Sequence, residues 1–412
     1  MKGIDYYWQR RKVVKRVVRN LGDWAVGEPF RAKGKRGEKV VIFVCQNVRA
    51  RTFNIAYPLH ARENVRTILL STVFEYKFQK KAFDEIHIFF NYDELRRKVT
   101  KLAQRYEVVA VIGATEPIRQ SRVLLDMERS WPVLIDQFDS YWSGTHFAGI
   151  DPQTDENYRH VLPEIEEEQY CFQKADGIIA RSGELPLLFE ELGLSIPTLL
   201  YEDGCNDIYF QPLGVPGRQR EWSVVYPGIF YPMHLDPKIY GSAQLVPMGR
   251  LFAAEKIHFH LYPSPIHDYQ YPEYKAEADR NPYFHLHPSV DFDRVQKEIS
   301  QYDFGWYAND FLSYGFTSET YRRFAVSTKF CTYLEAGLPV ISNGQHLRSV
   351  DVIRETGCGF LVEDNAPVGL AKVLERQNLE ELRRGVERAR EEMNVNRMGG
   401  KLLRFIESVT EG

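Results

Sequence analysis

Lys329 is the cation whose neighbours suggest a role. Ser327 and Thr328 precede it, and either can cap a helix; the run Thr328–Ala336 then meets Gly337, suited to a left-handed cap, and Pro339, which blocks continuation. A capped first turn presents free N–H groups and the positive end of the helix dipole. A lysine there adds a full charge, a combination suited to a diphosphate. The plain alternative is a solvated surface lysine. Asp136 and Asp139 follow the apolar run Pro132–Ile135, where a strand's carboxyl end would offer them as acid/base groups, Asp139 first and Asp136 second. Loop capping by Asp is the equal alternative. Asp291-Phe-Asp293 has a metal-binding spacing, but the run after it reads as a helix, and capping explains the pair better. His258-x-His260 and His285-x-His287 set two pairs on single strand faces, as zinc ligands could stand. No carboxylate shares their spacing, so the sequence expectation is cleft lining and no metal.

These residues need elements to hold them, and the pattern from residue 40 supplies short apolar strands between helices. Strands are expected at Val40–Cys45, Arg66–Leu70, Ile86–Phe90, Val108–Ile112, Pro132–Ile135, Gly177–Ala180 and Thr198–Tyr201. Helices are expected over Thr52–Glu63, Tyr92–Tyr106, Glu116–Glu128, Glu156–Lys174 and Leu185–Leu192. Asp203–Arg220 breaks the rhythm with Gly204, Pro212, Gly214, Pro216 and Gly217 and reads as a linker. A second set follows: strands at Ser223–Tyr226, Ile257–Leu261, Phe284–Leu286, Phe304–Tyr307, Val340–Ser342 and Gly359–Val362, with helices over Phe292–Ser300, Thr328–Ala336, Val368–Glu375, Leu379–Met393 and Lys401–Val409. All-apolar strands between helices mean parallel sheets covered on both faces. The expected fold class is α/β: two Rossmann-like, doubly wound domains facing a cleft, over 40–212 and 213–395, with residues 396–412 a C-terminal helix packing back on the first domain.

Composition narrows the classes. The chain has 412 residues, 44% hydrophobic and 26% charged, with 13% aromatic and a net charge of −3, which excludes disorder for most of its length. No apolar run approaches the length of a membrane span, and the beginning has no signal-peptide core. Five scattered cysteines without a CxxC pair suit reduced thiols in the cytoplasm. Residues 1–40 hold twelve Lys/Arg against four Asp/Glu, so +8, leaving −11 elsewhere. Residues 3–21 read as a basic amphipathic helix, fit either for an anionic membrane surface or for packing on the body, and 31–39 as a polar linker. The acidic body argues against nucleic acid as partner. There is no GxGxxG, GxxxxGK[ST], HExxH or GxSxG, so the usual phosphate loops, zinc proteases and serine hydrolases are unsupported.

Two longer stretches carry a resemblance. Ala175-Asp-Gly-Ile-Ile-Ala-Arg-Ser182 with Tyr201-Glu-Asp-Gly-Cys-Asn-Asp-Ile-Tyr-Phe-Gln-Pro212, and Ser327-Thr-Lys-Phe-Cys-Thr-Tyr-Leu-Glu-Ala-Gly-Leu-Pro-Val-Ile-Ser342, resemble the segments that close the N-terminal domain and bind the nucleotide in GT-B glycosyltransferases. Gly359-Phe-Leu-Val362 is similar to the ending of that pattern. The retaining branch with paired glutamates is a poor match, because Thr332 and Phe324 stand where its glutamates would be and its Arg and Lys after the first strand of the second domain are missing. The pattern looks closer to bacterial exopolysaccharide and teichuronic-acid transferases, including the xanthan glucuronosyltransferase.

The resemblance implies a metal-independent transferase in polysaccharide biosynthesis, moving a sugar from a nucleoside diphosphate sugar to a glycan or lipid-linked acceptor, with no separate cofactor. It places the donor diphosphate at Ser327, Thr328, Lys329 and Gly228, with Arg322, Arg323, His346 and Arg348 supplying further charge, and the base and ribose near His287, Val290, Trp306 and Tyr307. Asn309–Val326 would be a flap over the donor, or an inert loop. Asp139 or Asp136 would take the acceptor's proton. Tyr141 and Trp142 would stack on a sugar, or serve as core. Asn47, Arg49 and Arg51 would face an anionic acceptor, or cap the helix after them. A cytoplasmic place, peripheral on the membrane, is expected. A nucleotide-sugar 2-epimerase on the same fold and a non-catalytic glycan-binding or scaffold protein stay open as alternatives.

Overall fold

The computed structural model describes residues 39–73, 76–115, 118–213, 221–264, 269–308, 318–363 and 367–411. The basic segment 3–21, nearly all of the polar linker and residues 309–317 of the expected flap lie outside them. Two compact units emerge, one ending at Glu202 and taking the chain back from Val395, the other Asp203–Asn394. The second unit begins before the Gly- and Pro-rich stretch because residues 205–211 are tied into it: Cys205 N–H donates to the Met393 carbonyl at 2.8 Å, and Gln211 N–H to the Glu335 carbonyl at 2.9 Å.

The first unit is a seven-stranded sheet in the order β3-β2-β1-β4-β5-β6-β7. Its strands are β1 Lys39–Cys45, β2 Val65–Ser71, β3 Glu85–Ile88, β4 Val108–Ala114, β5 Val133–Gln137, β6 Gly177–Ala180 and β7 Thr198–Leu200, every pairing parallel. Residues 40–45 of β1 and all of β2, β5 and β6 are buried throughout, as strands covered on both faces must be. The C-terminal helix Gly399–Glu411 belongs to this unit and packs against β4 and the helix Ala50–His60.

The second unit is a six-stranded sheet in the order β10-β9-β8-β11-β12-β13. Its strands are β8 Ser223–Gly228, β9 His258–Pro263, β10 Phe284–Leu286, β11 Phe304–Trp306, β12 Val340–Ser342 and β13 Gly359–Leu361, again all parallel. In each unit the strand order reverses beside the first strand, between β1 and β4 and between β8 and β11. Those switch points open a crevice at the strands' carboxyl ends, where such sheets take their ligands.

Several helices escape the sequence reading, among them Tyr141–Ala148, Val246–Ala254, Pro272–Arg280, Glu319–Phe324 and Leu347–Thr356. Glu319–Phe324, capped by the Ser318 hydroxyl, occupies part of the expected flap. The expected helix from Glu156 starts only at Leu162, because Asp151 and Asp155 turn the chain by accepting from Gln153 N–H and Asn157 N–H, each at 2.9 Å. Beside the Asp291–Asp293 pair, Arg294 holds the cap position of Val295–Ile299, and the Asp291 backbone carbonyl accepts from the N–H groups of Arg294 and Val295.

Gly305 in β11 shows how closely the second unit is packed. A Cβ there would lie 2.3 Å from the Tyr333 ring. That approach lets the fully buried Tyr333 donate its hydroxyl to the Trp306 carbonyl at 2.7 Å, fixing the helix Thr328–Ala336 on the sheet.

Candidate functional site

In the second unit, Ser327 caps Thr328–Ala336 by accepting from Lys329 N–H at 3.1 Å, and Gly337 closes the helix with φ +81°. Every side chain from Phe330 to Ala336 is buried, so only the first turn reaches the crevice. Lys329 Nζ lies 3.6 Å from the centroid of the Tyr226 ring, a cation–π contact. Gly228, at φ +132°, ends β8 beside it; a Cβ there would lie 3.1 Å from Lys329 Cε. Among the described residues no carboxylate pairs with this ammonium, and burial pushes it from 10.5 down to about 7. The same cluster gathers His346 and Arg322. Burial, then the charges of Lys329 and Arg322, hold His346 down to about 3. Tyr307 hydroxyl lies 3.3 Å from His346 Nδ1, and Arg322 Nε donates to the Gln345 carbonyl at 2.6 Å. Arg348 is half-buried on the next helix.

Other expected residues are placed differently. Arg323 is exposed and paired with Glu319 at 2.7 Å, one turn away on its own helix. Trp306 is fully buried, 5.0 Å from Phe252 between ring centroids, so it belongs to the core and not to a base-binding wall. Phe304 and Trp306 pack into the core cluster on one face of the sheet and Tyr307 into the cluster on the other. Val290 packs half-buried on the core beneath the helix Thr328–Ala336.

His287 belongs to a column formed by the two histidine pairs that the sequence set on single strand faces. His258, His285, His260, His287 and Tyr262 succeed one another along the face of β9 and β10, with His260 stacked on His285 at 4.3 Å and His287 on Tyr262 at 4.3 Å. A cavity of about 550 Å³ lies against them, with Glu221, Glu298 and Tyr302 in its lining. Burial, followed by the neighbouring His258 and His287, lowers His285 to about 4. Among the described residues no group of three or more His, Cys, Asp or Glu side chains is placed to hold a metal ion.

In the first unit the carboxyl ends of β1, β5 and β6 collect a second cluster. Asp136 lies inside β5, 3% exposed, and Arg51 Nε donates to its Oδ1 at 2.7 Å. Arg51 also donates to the carbonyls of Tyr201 at 2.9 Å and Ile179 at 3.2 Å, so both residues are bound into the sheet and neither faces an acceptor. Asp139 is different: its side chain is 52% exposed and accepts from Arg181 Nη1 at 2.6 Å. Arg181 and Arg49 stand over the Phe138 ring, at 4.3 and 5.7 Å. Asn47 lies half-buried after β1 with its Oδ1 enclosed and unbonded. Tyr141 is exposed, whereas Trp142 packs on Phe172 and Phe189 at 6.5 and 6.4 Å and is core rather than a sugar platform.

Two carboxyls complete this cluster. Glu168 accepts from Ser140 Oγ at 2.8 Å, Tyr141 N–H at 3.0 Å and Trp142 N–H at 2.9 Å, at the start of Tyr141–Ala148; burial pushes it up to about 7 while these donors oppose the rise. Glu184, at the start of Glu184–Glu191, has one enclosed oxygen without a partner. Burial and then the Asp139 charge push it up to about 8. Sequence reasoning missed Arg181 and Glu184. Their signal was position, since Arg181 directly follows the apolar strand β6 and Glu184 opens the helix after it.

A search of curated proteins gives no match. The family model for the glucosyltransferase 3-like C-terminal domain matches residues 251–402. Among solved structures, sucrose-phosphate synthase from Thermosynechococcus elongatus aligns with TM-score 0.60 at 12% identity, over 90% of this chain and 100% of that one. HepE from Anabaena, in complex with UDP, aligns with TM-score 0.58 at 12% identity, over 90% and 100%. A Medicago truncatula UGT complexed with UDP-glucose aligns with TM-score 0.52 at 12% identity, over 90% and 98%. The two parallel-sheet α/β units thus give this chain the GT-B glycosyltransferase fold.

Glu184 gives a measurable pH dependence. A carboxyl held at about 8 in the folded chain and near 4.5 when unfolded binds more protons folded between those values, so stability falls as pH rises through that window. Urea unfolding between pH 5 and 8 should show a steeper loss for the wild type than for Glu184→Gln, the difference reaching at most about 4 kcal/mol. Parallel pH dependences would mean that Glu184 ionises normally.

Proposed function

We propose that this protein transfers a sugar from a nucleoside diphosphate sugar, of the UDP type named in several of its structural neighbours, to a glycan or lipid-linked acceptor. The observation that carries the reading is Lys329: a half-buried amine whose pKa is lowered by desolvation, with no carboxylate partner among the described residues, in the first turn of a capped helix at a switch-point crevice. In this reading the second unit takes the donor, its diphosphate against the helix N-terminus, Thr328, Lys329 and the Gly228 turn, with Arg322 and Arg348 nearby, and its nucleoside towards Tyr307 and His287. The first unit takes the acceptor, oriented by Asn47, Arg49 and Tyr141. In an inverting displacement the acceptor oxygen bonds to the sugar's anomeric carbon as the bond to the diphosphate breaks. The nucleoside diphosphate leaves with that electron pair, and Asp139 takes the hydroxyl proton. Arg181 positions Asp139. The resemblance of its motifs to exopolysaccharide and teichuronic-acid transferases suggests an acceptor of that kind.

The donor site is tested by calorimetry with UDP. Lys329→Ala should weaken binding ten- to hundredfold, the worth of one charge-assisted contact of about 1.5–3 kcal/mol. Because Lys329 is mostly neutral at pH 8 and a diphosphate favours its charged form, wild-type binding at that pH should take up close to one proton, read from titrations in buffers of different ionisation enthalpy. The variant should take up none. Equal affinity and equal proton uptake would refute the assignment. Incubation with donor alone should leave its sugar unepimerised; a 2-epimer would overturn transfer in favour of epimerisation.

The helix dipole and Lys329 supply the positive charge that a metal would otherwise bring to the leaving group. Transfer should therefore persist in EDTA. Loss restored by manganese would overturn a metal-independent reaction.

We further propose a peripheral place on the membrane, from the sequence of residues 1–40 alone. The full chain should sediment with anionic liposomes at low salt, each basic residue adding about 1 kcal/mol, and chain lacking residues 1–36 should not. Equal sedimentation would remove that part of the reading.

A further inference from the structure

Asp139 stands on a short turn between β5 and the helix Tyr141–Ala148, and one side chain from another helix holds that turn. Glu168, on Leu162–Lys174, is 3% exposed. Its Oε2 accepts from Ser140 Oγ at 2.8 Å and from Trp142 N–H at 2.9 Å, and its Oε1 from Tyr141 N–H at 3.0 Å. Ser140 Oγ in turn accepts from Ser143 N–H at 3.1 Å. The first free N–H groups of Tyr141–Ala148 are thus divided between Ser140, the local cap, and a carboxyl from elsewhere in the chain. All three groups that reach Glu168 donate, and the positive end of the helix lies behind them, so the arrangement suits the charged form.

The other neighbours of Glu168 oppose that charge. Burial, with Glu164 on its own helix, pushes its carboxyl up to about 7 against the pull of the three donors. Cys171 faces it from the same helix and Glu184 from Glu184–Glu191. The cations around it are engaged elsewhere: Arg122 with Glu167 at 3.0 Å, His146 with Glu191 at 2.9 Å and Arg181 with Asp139 at 2.6 Å. The carboxyl therefore changes charge near neutral pH, and the turn is sensitive to that change. Ser140 can rotate its hydroxyl to accept from a protonated Glu168. Trp142 N–H can only donate, and it then meets a hydroxyl in place of a carboxylate oxygen.

We propose that Glu168 is a positioning residue that gates the acceptor side of the site by its charge: ionised, it holds the turn that presents Asp139 and Tyr141, and protonated, it releases that turn, so that mild acid shuts off transfer. This regulation rests on the transfer reading, in which Asp139 is the base.

The first test needs no substrate. Hydrogen–deuterium exchange of the full chain is followed by mass spectrometry over residues 139–147, with rates corrected for the intrinsic effect of pH. Protection at the start of the helix should fall about tenfold from pH 8 to pH 6, the change in the ionised fraction of a group at about 7. Glu168→Gln should show the low protection at both pH values, while peptides of the second unit exchange as in the wild type. The second test is UDP release from UDP-glucose with water as the acceptor. Glu168→Gln should lower kcat about tenfold at pH 8, leave KM for the donor unchanged and flatten the fall in kcat between pH 8 and pH 6. Wild-type protection that stays constant between pH 8 and pH 6 overturns the proposal, and that comparison decides even where Glu168→Gln does not fold. A folded Glu168→Gln with wild-type protection and wild-type kcat overturns it as well. A chain that releases no UDP at either pH, while its exchange responds as expected, overturns the transfer reading instead and upholds the grip of Glu168 on the turn.

Discussion

A half-buried lysine at the head of a helix packed tightly into the core is the constraint from which the second unit can be understood. Thr328–Ala336 is tied to its surroundings at several points. The Tyr333 ring fills the space over Gly305, Glu335 accepts from Asn206 N–H and Gln296 Nε2 at 2.8 Å each, and Arg390 donates to the carbonyls of Leu334 and Glu335. Lys329 is therefore delivered to one place, beside Gly228 and over Tyr226. Holding its ammonium there costs stability, because burial disfavours the charged form. Packing alone gives no reason to keep such a group, whereas an anion arriving at the helix terminus would repay the cost at once.

The first unit solves the matching problem with carboxylates. Two aspartates only three residues apart end in opposite states. Asp136, still within β5, is sealed by Arg51, and removing either partner would leave a buried charge. Asp139, past the strand end, keeps half its side chain in water and is steadied by one guanidinium. Arg51 thereby takes the second candidate out of contention, since a buried, bidden carboxylate cannot meet a hydroxyl. Glu184, protonated at neutral pH, adds little negative charge beside Asp139.

Much of this was legible in the residues. Short apolar runs marked the parallel strands, since burial on both faces leaves no alternation to misread, and Ser327, Gly337 and Pro339 bounded the helix that carries Lys329 within one residue. The amphipathic helices Val246–Ala254 and Pro272–Arg280 were not, because tyrosines and prolines around them mimic loop chemistry while tertiary packing supplies the helix's stability. Among site residues, type and position named Asp139, but nothing local separated it from Asp136: that depends on Arg51, 85 residues earlier in the chain.

The contrast between Lys329 and the histidines shows what fold and sequence each contribute. Lys329, Gly228 and Tyr307 stand where the strand order reverses, a place any doubly wound sheet offers to a ligand, and their meaning leans on topology. The histidines begin at His258, paired with Ser223 at the start of β8, and run along the outer strands β9 and β10. No rule of the fold asks for imidazoles there. An edge face could be covered by any polar side chains, so four imidazoles in register, with a carboxylate behind the outermost, owe their arrangement to side-chain chemistry and not to the architecture that carries them.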